Sequence, residues 1–180
     1  MHFQDLDLCR YHRGPLDADS WRAPLLAVGW LEHPHEFGQG PTPDGLIERL
    51  NELILDAGEE HPQHSFRGLH CCSLCALGLD IGRGLPSSHI NILVPGRGAI
   101  FAAPGGIVHY IEMHSYLPPQ DFIAAVAACP TYGSPEYYDA LQAANAAEKP
   151  PIETRAEMEE ERRALLASLQ ARGRVQNGSA

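Results

Sequence analysis

The chain has 180 residues, 44% hydrophobic and 20% charged, which suits one folded domain with appendages and a real core. Its formal charge of −10 lies wholly in residues 1–147, because residues 148–180 balance six Glu against one Lys and five Arg. An acidic body repels phosphate backbones and anionic lipid, and no apolar run reaches membrane-span length, so neither nucleic acid nor membrane is an expected partner.

In chain order, the N-terminal segment through "DADSW" is polar and turn-rich, with charge where a secretion signal needs an apolar block. "PLLAVGWLEH" (24–33) reads as a buried strand, and "EFGQGPTPDG" breaks regular structure. A helix is expected next, with Thr42 as N-cap, Pro43 in its first position and Gly58 at its stop. Leu46, Leu50, Leu53, Ile54 and Ala57 form its apolar face. "EEHPQHSFRG" reads as a loop, as does "GLDIGRGLPSS" beyond the cysteines. "HINILV" and "AIFAA" flank "PGRG" as a hairpin that Pro104 ends. Three helices are predicted after it: "GGIVHYIEMHSY", "PPQDFIAAVAAC" with Phe122, Val126 and Cys129 on one side, and "SPEYYDALQAANAA" capped by Ser134. Lys149-Pro150-Pro151 marks a boundary between a domain over 1–147 and a tail over 148–180. In the tail, Thr154 and Glu157 open a charged helix to about Arg172, with Met158, Leu165, Leu166 and Leu169 in one stripe. "RVQNGSA" reads as a disordered end.

Chemistry concentrates in "LHCCSLCALG". Five cysteines in a chain expected in the reducing cytoplasm do not suggest a disulfide framework, and an odd count argues further against one. Cys72-Ser-Leu-Cys75 is a C-x2-C knuckle, and His109 and His114 form an H-x4-H pair downstream. Zinc takes four nitrogen or sulfur donors in a tetrahedron, and two short segments at these spacings can each supply two. Knuckle, hairpin, helix is also the order of a ββα zinc finger with a longer insert. The helical spacing is awkward, because residues five apart stand about 140° apart on an ideal helix. The last turn must distort for both rings to meet one ion, and Tyr116-Leu-Pro-Pro ends the helix where that is feasible. Cys71, His70 and His89 are alternative ligands.

Four protein donors close a tetrahedron, which favours an architectural Zn2+ over a catalytic one. The catalytic alternative is a hydrolase or lyase in which Cys72, Cys75 and one histidine hold the metal and Glu112 acts as general base, with His89 as a second candidate. A redox use of the knuckle fits less well, since thioredoxin-like motifs open a helix after a strand. DNA reading fits poorly too, because "GGIVHYIEMH" has no Arg or Lys.

"GWL", "FRGLHCCSLC" and "IFAAPGGIVHYIEMHSYLPPQDFIAAV", in that order, resemble a family of uncharacterised bacterial proteins with the pattern RG-x-H-x-C-x2-C followed by HYI-x2-H-x-Y-x-PP. The resemblance spans about residues 27–130. It implies a small metal-site fold with Cys72, Cys75, His109 and His114 at the matching positions, and it carries no activity. The expectation is therefore an α+β protein. It has a zinc-knuckle, hairpin and helix nucleus, an added N-terminal strand and helix, and C-terminal helices. It would serve as an accessory or interaction protein whose partner is a protein or small molecule, with "PEYYDAL" or the Met158–Leu169 stripe as its surface. The stripe could equally pack back on its own body.

Overall fold

A computed structural model describes residues 2–9, 23–60, 65–76 and 87–146. They form an α+β fold around a four-stranded sheet, and the strands run in the order β1-β4-β3-β2. The predicted hairpin is its centre. β3 (Ser87–Pro95) pairs antiparallel with β4 (Ile100–Pro104), with Leu93 opposite Ala102 and Pro95 opposite Ile100. Every residue of β4 is buried, which is why its sequence reads as an unbroken apolar run rather than an alternation.

The N-terminal strand is shorter than predicted. β1 (Leu25–Ala27) lies parallel to the far edge of β4, Leu26 beside Phe101. Val28 N–H still reaches Ala102 O at 3.1 Å, but Gly29 N–H turns away to the Asp5 carboxylate at 2.9 Å and the ladder stops. Val28, Trp30 and Leu31 stay buried, so this apolar stretch is core without being strand.

α1 (Leu46–Glu60) carries the expected face, with Leu46, Leu50, Leu53 and Ala57 buried. Both of its ends differ from the prediction. Gly45 has φ +80°, which is not helical, so the helix begins at Leu46 and Thr42 does not cap it. Gly58 does not stop it. A Cβ there would stand 2.8 Å from the Ile90 side chain, so this glycine makes room for α1 against β3.

The segment expected as a loop before the cysteines ends as β2 (Ser65–Cys71). It pairs antiparallel with β3, Ser65 opposite Ile90 and Cys71 opposite Ser87, with a register shift between. Such a register shift breaks the two-residue alternation by which a strand is recognised. Beyond Ile90 the outer edge of β3 is covered by tyrosines. Leu93 N–H donates to Tyr132 Oη at 3.3 Å, and Tyr137 Oη donates to Leu93 O at 2.8 Å. Burial raises both phenols, Tyr132 to about 12, so both hydroxyls keep their protons.

α3 (Ile107–His114), α4 (Gln120–Ala128) and α5 (Pro135–Ala146) follow as predicted. Ser134 Oγ accepts from Tyr137 N–H at 3.1 Å, the expected cap. α4 buries Phe122 and Val126, and Phe122 meets Phe101 edge-on at 5.7 Å. The "PEYYDAL" segment presents a mixed surface, with Pro135, Glu136 and Asp139 exposed. Tyr137 and Leu141 are buried, and Tyr138 is the exposed one of its large side chains. The 77–86 loop, the 147/148 boundary and the Thr154–Arg172 helix lie outside the described residues. Among those described, no helix is long and apolar enough to cross a membrane.

Replacing Tyr137 by Phe leaves the buried Leu93 carbonyl unpaired, at a cost of about 1–3 kcal/mol. Urea denaturation should show that loss. An unchanged midpoint and slope would mean that the edge is held by packing alone.

Candidate metal centre

The sheet brings the two halves of the site together from one end. β2 finishes at Cys71 opposite Ser87, the first residue of β3, and β4 finishes at Pro104 opposite Asn91. The knuckle and α3 therefore leave the sheet on the same side. At the β4–α3 corner, Gly105 N–H donates to Ile90 O at 2.8 Å. A Cβ on Gly105 would stand 2.6 Å from Ser88 Oγ, so glycine lets the chain turn closely over β3 into the helix.

Cys72 precedes α2 (Ser73–Ala76), a single helical turn that carries Cys75. Cys75 N–H donates to Cys72 Sγ at 3.4 Å, so the knuckle closes on its own first sulfur. His33 N–H donates to Ser73 Oγ at 2.9 Å and anchors the turn to the segment after β1.

The mismatch in the histidine spacing is resolved at the end of α3. Ser115 N–H bonds to Tyr110 O, five residues back, and Tyr116 N–H reaches the same carbonyl at 3.1 Å. The last turn is thus wider than an α-turn and of the i→i+5 kind, which carries residues five apart toward one side. Ser115 takes the left-handed conformation at φ 53° to close it, costing a non-glycine residue about 1–2 kcal/mol. The imidazoles of His109 and His114 end 5.2 Å apart between ring centres and nearly perpendicular, at 78°.

Their Nε2 atoms face the sulfurs. His109 Nε2 lies 3.3 Å from Cys75 Sγ, and His114 Nε2 lies 3.3 Å from both Cys72 Sγ and Cys75 Sγ. All four atoms fall within 4.8 Å of one another. A tetrahedron with zinc-type bonds, 2.3 Å to sulfur and 2.0–2.1 Å to nitrogen, has S···N edges of about 3.6 Å. Pairwise hydrogen bonds do not require such convergence, since one thiol proton serves one acceptor. The four side chains form a group that could hold a metal ion.

The electrostatics agree with that use. Burial first, then the charge of His114, lowers the His109 pKa against a weaker opposing pull from Glu112. Burial also lowers that of His114. Neutral imidazole is the ligating form. Burial, followed by the Cys72 thiol, raises the Cys75 pKa. A bound cation would reverse that shift and expel the proton. Tyr110 is buried beneath the site, and its hydroxyl donates to Leu31 O at 3.5 Å.

Cys71 is exposed and outside the cluster, and so is His89, exposed on β3. The side chain of His70 lies outside the described residues. Glu112 is exposed on α3. The knuckle does follow a strand and open a helical turn, contrary to the reading that set it apart from redox motifs. What distinguishes it is the pair of imidazoles against its sulfurs.

Sequence reasoning did not find the strap at residues 38–40. Gln39 bridges to Tyr116, Gly40 N–H donates to Ser115 O at 3.0 Å, and Leu117 N–H donates to Gly38 O at 2.9 Å. Gln39 Nε2 also donates to His114 O at 3.2 Å. Tyr116 Oη donates to Asp5 at 2.8 Å. These contacts hold the widened turn across long sequence separations and leave no local pattern.

No curated protein and no solved structure matches the chain. Residues 1–127 match a family described as a domain of unknown function, DUF7919, so the matched segment includes all four side chains of the cluster. The chain belongs to the DUF7919 family.

Proposed function

We propose that Cys72, Cys75, His109 and His114 bind one Zn2+ as a closed, architectural centre, and that the protein is a cytoplasmic accessory or interaction protein rather than an enzyme. The observation that carries this reading is the convergence of two sulfurs and two Nε2 atoms within 4.8 Å. A tetrahedral set of two thiolates and two imidazoles suits zinc. It also fills the coordination sphere, leaving no position for a water or substrate.

The elements around the site are short. α2 has four residues and α3 has eight, both shorter than a helix that stands alone in water. A metal fixing both to each other would contribute to folding directly. We assign residues 1–147 to one domain and 148–180 to its tail, and take a protein or small molecule as the partner. Nucleic acid is disfavoured by the acidic body and by the absence of Arg and Lys from α3.

Protein purified without added metal should carry one zinc per chain. Stripping it should cost about 3 kcal/mol or more, which for a chain this size lowers the melting temperature by about 10 °C. Cys72→Ser and His114→Ala should lose the metal, whereas Cys71→Ser should keep it. Elemental analysis with thermal melts reads all of these, and a metal-free native protein of unchanged stability would refute the centre.

The catalytic alternative needs one of the four donors to leave and Glu112 to act as base. Glu112→Gln should therefore alter neither zinc content, nor melting temperature, nor the growth of cells that depend on the protein. A growth defect with folding and metal intact would favour the enzyme.

A further inference from the structure

A cavity of about 320 Å³ lies between the N-terminal run and the strap, and none of its lining residues belongs to the metal cluster. Residues 2–5 and 36–38 line it, together with the buried Leu31. Both sides are fixed by the protein itself. Leu6 N–H donates to Ala27 O at 2.8 Å, and Gly29 N–H and Tyr116 Oη donate to Asp5 Oδ1 at 2.9 Å and 2.8 Å. Phe3 meets Trp30 edge-on at 5.7 Å, Phe37 meets Tyr116 at 6.2 Å, and Leu117 N–H donates to Gly38 O. The lining carries charge of one sign: Asp5 and Glu36 supply carboxylates, and no Arg or Lys is among its residues. Burial, and then the charge of His35, lowers the His2 pKa, so this lining ring is neutral near pH 7 and does not offset them.

We propose that this cavity binds a small organic molecule through a primary ammonium group. Such a group is a compact positive charge with three N–H donors. The side chains of Asp5, Glu36 and Gln4 bring three acceptors to the lining, two of them charged, and charge-assisted hydrogen bonds are the stronger kind. Phe3, Phe37 and Leu31 suit the carbon chain behind that head, and an aromatic face also attracts a cation. An anion would meet two like charges. A metal ion fits less well, because neither Asp5 nor Glu36 joins a group of three closely gathered metal-type donors among the described residues. The volume is at the lower end of the range for small-molecule sites, about 300–1,000 Å³. The proposal goes beyond the metal centre and does not rest on it, since the two share no residue.

An NMR titration of the full chain near pH 7 tests it, with n-butylamine as the probe and n-butanol and butyrate as neutral and anionic matches of similar length. Butylammonium should shift the amide signals of residues 2–5, 31 and 36–38 and saturate, while the alcohol and the carboxylate bind about tenfold or more weakly. Glu36→Gln removes one charge from an exposed position and should weaken butylammonium about tenfold, with the melting temperature unchanged. Asp5→Asn keeps an oxygen that can accept from Gly29 N–H and Tyr116 Oη, and should weaken the probe as much. Shifts that spread over the acidic surface without saturating, equal binding of butanol, or affinity that survives both substitutions would overturn the proposal. Such a failure would leave the metal centre standing, and a metal-free protein would leave this site standing.

Discussion

The structure turns on one geometric feature: two imidazoles on one eight-residue helix face two sulfurs, one just before a single helical turn and one within it. An ideal α-helix sets His109 and His114 about 140° apart. The chain answers with an i→i+5 closure at Tyr110 O and a left-handed Ser115 immediately after His114. Strained backbone of this kind persists where its surroundings over-determine it. Here the surroundings are specific: the 38–40 strap bonded to Ser115, Tyr116 and Leu117, and the Tyr116 hydroxyl bonded to Asp5. The centre thus draws on the N-terminus, the strap, β2 and α3 together. A metal bound there would fasten the knuckle after β2 to α3.

The rest of the fold supplies a frame for that meeting. β3 is the common reference, pairing with β2 near the knuckle and with β4 before α3, and leaning on α1 where Gly58 gives way to Ile90. Its remaining edge is covered by the hydroxyls of Tyr132 and Tyr137 rather than by another strand. An open edge is a template for unwanted pairing, and covering it with side chains allows the sheet to stop at four strands.

Much of this was legible in the sequence, and the exceptions have physical causes. The hairpin, the three helices after it and the four clustered residues carry local signals: apolar runs bounded by Gly and Pro, a Ser cap, and paired donors at metal spacings. β2 was hidden because its register shift breaks the alternation. The ends of α1 were misplaced because glycine was read as punctuation, whereas Gly45 serves a turn and Gly58 serves packing. The length of β1 was overstated because burial was taken for pairing. The strap and the Asp5–Tyr116 bond were invisible, since contacts between residues 75 or 111 apart have no sequence signature.

X-ray absorption at the zinc edge of untreated protein examines the centre most directly. The account predicts a first shell of two sulfurs at about 2.3 Å and two imidazole nitrogens at about 2.0–2.1 Å, with no oxygen. A shell that includes a water oxygen, or only one sulfur, would contradict it.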